Sequence, residues 1–332
     1  MPIPALAARR RALATLLACS LAALGAGAAH AQDDYPSKPS TLYVGFSAGG
    51  AVDQVARELG QALGKQFGQP YVVENRPGAT GTIAAEAAAR ARPDGYSLLL
   101  ATQSTMVVAP GMYPSLRFDP IKDFEPISLV ASVPLVLVVH PSLPLKTVQD
   151  VIDYAKAQGG NLPYASSGLG GPQHVSAELF AAMAGIKMVH VPYKGEANAI
   201  TDVLGNQVPL MFSNLPTLLP HIQSGKLRAI AVSSLKRADS APDIPTVAES
   251  GLEGFEALTW FGLYAPAGTP QAALAKLEQG VAKSLEDPQL REKLTKQGLT
   301  LEGSTRDEFR QYMQAESVKW GDLIKKAGIK PE

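Results

Sequence analysis

Short apolar runs alternate along this chain with stretches whose apolar residues recur every three to four positions, and that alternation predicts an α/β protein. Residues 41–46 read as a strand, and 51–65 as a helix with Val55, Leu59 and Leu63 on one face. Residues 71–73 form a second strand, 82–91 an alanine-rich helix stopped before Pro93, and 97–101 a third strand. The segment 127–139 differs: it is long, apolar and β-branched, and Pro134 interrupts it. Proline cannot donate within a central ladder, so the chain is expected to bend there and pass from one sheet to another. A second series follows: helix 147–157, strand 163–165, helix 175–184, then strands 188–191, 210–212 and 227–233. The apolar segment 257–265 carries the chain back. At the end, Thr305 and Glu308 form a capping box, and Phe309, Met313, Trp320, Leu323 and Ile324 make a core stripe closed by Gly328. The expected domains are 32–131 with 255–332, and 132–254. Two α/β lobes joined by two crossing segments describe a hinged binding protein that closes around a ligand.

The amino terminus sets the expected compartment. Arg9, Arg10 and Arg11 precede an uncharged run from residue 12 to 29, and Ala29-His30-Ala31 then offers small residues to a signal peptidase. That order predicts an export signal spanning residues 1–31, cleaved near Ala31 to leave a soluble periplasmic chain beginning at Gln32. Cys19 is the sole cysteine and lies in this leader, which excludes disulfides, thiolate metal sites and cysteine nucleophiles from the remainder. The leader takes three arginines and no acid from a chain of 30 basic and 30 acidic residues, so the remainder is slightly acidic. That balance excludes the electrostatic footprint of a nucleic-acid binder.

Two glycine-rich loops carry candidate chemistry. Gly45-Phe46-Ser47-Ala48-Gly49-Gly50 lies between the first strand and the first helix. As G-x-S-x-G it matches a hydrolase elbow with Ser47 as nucleophile, whereas as a glycine-rich turn it aims N–H groups at an anion. The position so early in the chain, and histidines (His140, His174, His190, His221) that nothing pairs with Ser47, favour the anion reading. Ser166-Ser167-Gly168-Leu169-Gly170-Gly171-Pro172 repeats that chemistry before the helix bearing His174. A third turn, Glu74 to Gly81, holds Arg76, which can meet an anion but more often braces a turn. Neither a P-loop, a dinucleotide fingerprint, zinc-ligand histidine spacing nor a catalytic carboxylate pair occurs, so no cofactor or metal is expected.

At these loops the sequence resembles the Bug family, the extracytoplasmic receptors of tripartite tricarboxylate transporters. The landmarks stand as Gly49-Gly50-Ala51-Val52-Asp53, Val73-Glu74-Asn75-Arg76-Pro77-Gly78, Pro93-Asp94-Gly95-Tyr96, Tyr164-Ala165-Ser166-Ser167-Gly168, His190-Val191-Pro192-Tyr193-Lys194-Gly195 and Ala265-Pro266-Ala267-Gly268-Thr269-Pro270. The resemblance implies a type II-like Venus-flytrap fold and a monomeric, non-enzymatic receptor that delivers a small carboxylate to membrane permease subunits. The class includes di- and tricarboxylates, aromatic carboxylates and acidic amino acids, and an orphan receptor feeding a sensor kinase is a variant. Carried over, the ligand site is Phe46, Ser47, Ala48, Gly49 and Asp53 on one lobe, with Ser166, Ser167, Gly168 and His174 on the other. Thr102, Gln103, Ser104, Tyr193, Lys194, Ser213 and Asn214 lie along the same cleft. Gly45 and Ala48 replace prolines usual in the first loop, which is expected to loosen it. Ser213 replaces a usual acid, removing a charge able to select a cationic ligand group.

Overall fold

The computed structural model describes residues 35–113, 115–193 and 195–327. The expected leader, Lys194 and the Gly328 helix stop lie outside these described residues. The chain opens as β1 (Ser40–Val44), α1 (Ala51–Phe67), β2 (Tyr71–Asn75), α2 (Thr82–Ala89) and β3 (Ser97–Thr102). β1 pairs in parallel with β2 and β3, and α1 lays Val52, Val55, Ala56, Leu59 and Leu63 onto the core. Gly68, in the left-handed region at φ 68°, ends that helix by returning its N–H to the Gly64 carbonyl. After β3 the chain turns through a π-helical stretch, Ser104–Val108, into the short α3 (Ala109–Met112).

β4 (Phe124–Val139) is the long apolar segment, one strand of 16 residues shared between two sheets. As far as Pro134 it pairs antiparallel with β9 (Leu258–Pro266); from Leu135 onward it pairs with β7 (Leu210–Asn214) and, from Val136, with β8 (Arg228–Val232). Proline therefore stands at the handover, as its missing N–H predicts. The second half contains α4 (Val148–Ala157), β5 (Leu162–Ser166), α5 (Pro172–Ala184), β6 (Met188–Pro192), α6 (Glu196–Leu204) and α7 (Leu215–Gln223). β5 pairs in parallel with β6 and β7. The return strand β9 lies between β3 and β4, followed by α8 (Gln271–Glu286), α9 (Pro288–Lys296), β10 (Thr300–Leu301) and α10 (Arg306–Ala327).

The two crossing strands are tied at the handover. The Ser233 hydroxyl accepts from Leu135 N–H at 2.8 Å and donates to the Ala257 carbonyl. α10 seals the base of the molecule. Its capping box forms, with Thr305 N–H donating to Glu308 at 2.8 Å, and the five stripe residues are all buried. Both Trp260 and Trp320 donate their indole N–H to the buried Glu316 carboxylate, at 3.1 and 2.8 Å, so this buried acid has partners. One apolar cluster runs from Leu99 and Met106 through Trp260, Phe309 and Trp320 to Phe180 and Phe212, joining the packing of both sheets.

Candidate functional site

The first-loop, third-turn, Thr102–Ser104, second-loop, Tyr193 and Ser213–Asn214 candidates each close or follow the carboxyl end of a parallel-paired strand. In open α/β sheets that edge is where ligands bind. Residues 46–50 follow β1, 76–81 follow β2, and Gln103 and Ser104 follow β3. On the other sheet, Ser167–Gly171 follow β5, Tyr193 follows β6, and Ser213 and Asn214 close β7.

The first loop is braced from beneath. Asp53, 2% exposed, sits at the third position of α1 and accepts from Gly49 N–H at 2.8 Å, Arg57 Nε at 2.9 Å and Asn75 Nδ2 at 2.8 Å. Asn75 Nδ2 also donates to the Phe46 carbonyl at 3.0 Å. Burial pushes the Asp53 carboxyl up, but the hydrogen bonds from Arg57, Gly49 and Asn75 and the Arg57 charge hold it below the usual range. Asp53 is thus committed to shaping the loop, and so is the Gly49 N–H. The amides of Gly50 and Ala51, at the start of a 17-residue helix, remain open to an anion. Ser47, Ala48 and Gly49 are exposed, and Phe46 is half-buried. Histidine ring nitrogens bond elsewhere among the described residues: His140 to Ser142, His190 to Ser166 and His174 to Gly170. Among the described residues no hydrogen bond joins Ser47 to any of these three histidines.

At Gly45, where resembling sequences usually carry proline, the first loop lies hard against the third turn. A Cβ on Gly45 would sit 2.4 Å from Gly81 Cα, and one on Gly81 would sit 2.5 Å from Thr105 Oγ1. The first loop, the third turn and the segment after β3 are stacked at backbone distance. Thr105 Oγ1 completes the stack by donating to the Thr80 carbonyl at 2.8 Å. This stacking fixes Gln103 and Ser104, both 1% exposed, and neither Gln103 Nε2 nor Ser104 Oγ has a hydrogen-bond partner in the protein.

The second loop is organised by aromatic and histidine stacking. Ser166 Oγ accepts from Gly168 N–H at 3.1 Å and lies 2.6 Å from His190 Nε2. His174 accepts from Gly170 N–H at 3.0 Å, and the rings of His174 and His190 stack 3.9 Å apart, beside Tyr164. Ser167 donates to Gln173 at 2.6 Å, and Tyr193 donates to Asp202 at 2.7 Å. Gly168 takes a φ of 134°, open only to glycine. No hydrogen bond joins this loop to the first among the described residues. Through Gly170 it abuts Met112 and Val108 of the segment after β3.

Burial pushes His190 down to about 4, and burial with the His190 charge pushes His174 down to about 3. An unfolded chain binds these protons near 6.5, the folded chain only near 4 and below, so the contribution is full above 6.5 and lost as pH falls toward 4. The half-buried Glu178 carboxyl, pushed up by burial, works in the opposite sense. We expect thermal stability to fall from pH 7 to pH 4, with His190 contributing on the order of 2 kcal/mol after allowance for its partial exposure. The His190→Gln variant should show a flatter profile. Equal slopes in the two proteins would contradict this.

Between the two sheets lies a cleft of about 630 Å³. Gly49, Gly50, Ala51 and Gln54 line one side; Glu196, Asn214, Pro216 and Thr217 line the other, and Gln297 and Gly298 close an end. Of these, the sequence reading named Gly49 and Asn214. It missed Glu196, although the residue directly follows the His190–Gly195 landmark and opens the helix carrying Ala199, Ile200 and Val203.

Comparison with known proteins bears on this geometry. The family model for the tripartite tricarboxylate transporter family receptor matches residues 55–329. The chain is 36% identical over 319 residues to protein BugT of Bordetella pertussis, covering 96% of this chain and 98% of that one. A solved R. palustris protein with adipate shares 36% identity and a TM-score of 0.79, covering 90% of this chain and 100% of that one. MatC from Rhodopseudomonas palustris, solved with bound malate, shares 32% identity and a TM-score of 0.75, covering 87% and 100%. The fold is accordingly that of the TctC-type periplasmic binding proteins, which are solute-binding receptors and not enzymes. With that match across most of its length, the chain belongs to the tripartite tricarboxylate transporter receptor family.

Proposed function

We propose that the chain is exported through its leader, captures a small organic carboxylate in the periplasm as a monomer, and presents it to membrane permease subunits. The observation that carries this reading is the pair of consecutive buried donors at the carboxyl end of β3, Gln103 Nε2 and Ser104 Oγ, left without protein partners. A buried donor without an acceptor costs about 1–3 kcal/mol, so two in succession along the chain, although neither lines the cleft, support a reading in which an acceptor arrives. A carboxylate has the matching lone pairs. The open amides of Gly50 and Ala51 and the hydroxyl of Ser47 extend the same chemistry. Adipate and malate in the two solved relatives are ligands of this class.

Capture is proposed to draw the two sheets together about the crossing strands near Pro134 and Leu258, with domains at 32–131 plus 255–332 and at 132–254. A thermal-shift screen of the chain from Gln32, using mono-, di- and tricarboxylates, tests the capture. The expected result is stabilisation by a subset of carboxylates, with a smaller radius of gyration by X-ray scattering at saturation. Stabilisation by no carboxylate would overturn capture, and an unchanged radius would overturn closure. Mass spectrometry of the exported protein should find its amino terminus at Gln32; a lipid-modified Cys19 there would contradict the leader.

A further inference from the structure

We infer that Gly298 and Pro216 form a stop that limits how far the two sheets draw together, and thereby sets the length of carboxylate the cleft accepts. This rests on the capture and closure readings and assigns the limit to a residue pair outside both glycine-rich loops.

The two residues belong to elements rooted in different cores. Pro216 lies in the first turn of α7, whose Leu215 and Leu218 are buried with Val136, Val138 and Met211 of the second sheet. Gly298 follows α9, whose Leu290 and Leu294 are buried with Leu59, Leu63 and Leu263 on the first. At the end of the cleft they meet closely: a Cβ on Gly298 would lie 2.2 Å from Pro216 Cγ and 2.9 Å from Pro216 Cβ. The ring is seated on a bare Cα.

Both partners are rigid. Gly298, at φ 75°, is the left-handed cap of α9. Its N–H donates to the Thr295 carbonyl at 2.8 Å, and Leu299 N–H donates to the Leu294 carbonyl at 3.1 Å. Leu294 and Leu299 are buried, which anchors that turn. The Pro216 ring is closed on its own backbone and cannot rotate aside. A helix cap alone explains the glycine, but it does not explain a proline from the other sheet's helix packed onto it. β10 begins two residues beyond Gly298 and pairs with β4 at Ala131 and Ser132, beside the handover at Pro134. The stop therefore lies near the crossing strands, where a small separation is magnified toward the far side of the cleft. Asn214, two residues before Pro216, lines the cleft opposite Gly50 and Ala51 and moves with α7. The span from the Gly50 amide to Asn214 is thus fixed by where the Pro216 ring comes to rest.

Isothermal titration with straight-chain dicarboxylates of about two to seven carbons tests this in wild type, Gly298→Ala, Pro216→Ala and the double variant. Wild type should prefer one length. Gly298→Ala should weaken that member ~10-fold or more and move the optimum at least one carbon longer. Pro216→Ala, which leaves the glycine's backbone untouched, should raise affinity for the next shorter member, relative to the optimum, by ~3-fold or more. In the double variant the removed ring atoms make room for the added methyl, so the optimum should return to the wild-type length. Backbone strain at Gly298 predicts instead an equal loss at every length that Pro216→Ala does not relieve, and that result would overturn the stop. An optimum unmoved in both single variants would overturn it as well and leave capture standing. If Gly298→Ala does not fold, Pro216→Ala decides by the same criterion. Failure of the whole series to bind wild type would overturn capture of straight-chain dicarboxylates, and the stop's role in selecting them with it.

Discussion

Gly45→Val should abolish carboxylate capture and lower stability by about 3 kcal/mol, with Gly45→Ala about 1–3 kcal/mol down. The site is shaped by backbone against backbone: the first added carbon would lie 2.4 Å from Gly81 Cα and 2.7 Å from the Gly81 carbonyl oxygen. Neither atom belongs to a flexible side chain, so relief requires moving the third turn. That turn cannot move alone, because Gly81 stands equally close to Thr105 and Thr80 is held by the Thr105 hydroxyl. Displacing the stack shifts Gln103 and Ser104, the two donors awaiting a ligand. Chemical denaturation and isothermal titration of both variants check this. Gly45→Pro, the residue usual in resembling sequences, is a severe control. If it binds and unfolds as the wild type does, the stack yields easily and the argument fails.

Much of the fold was legible because its signals are local. Strand runs, the Thr305–Glu308 capping box and the α10 stripe each depend on neighbours within a few residues, and Pro134 marks the handover through its missing N–H. Helices α6 to α9 were passed over for physical reasons as well. α7 carries Pro216 and Pro220, which read as breakers, though Pro216 sits within the first turn, where its missing donor costs nothing. α9 has little apolar face, burying just Leu290 and Leu294. The site was legible as a set of segments, since most of the landmarks span or follow strand ends. The division of labour among its residues was not, because it depends on contacts distant in sequence. Asp53 looked like a ligand group until Gly49, Arg57 and Asn75 were seen to converge on it. His190 looked like a strand residue until Ser166 met it at 2.6 Å. Glu196 carried no motif of its own, and its place on the cleft appears once β7 is set beside α6.

Gly168→Val should weaken capture at least ~100-fold, the second large effect. A Cβ there would touch nothing closer than the Tyr193 carbonyl at 3.5 Å, so space is not the obstacle. The obstacle is the φ of 134°, which a β-branched residue resists strongly. In that conformation Gly168 donates to Ser166 Oγ at 3.1 Å and accepts from Gly171 N–H at 3.3 Å, which sets the course of the loop. Gly49, at φ 89° with open space around it, is held by the same constraint. If oriented N–H and hydroxyl dipoles hold the anion, loop geometry must matter more than a nearby formal charge. Isothermal titration of a carboxylate found by the thermal-shift screen, against wild type, Gly49→Val, Gly168→Val and Lys194→Met, measures that directly. The account predicts that both folded glycine variants lose detectable binding while Lys194→Met loses less than ~10-fold. Loss of binding in Lys194→Met with both glycine variants still binding would show an ion pair at the site and contradict it.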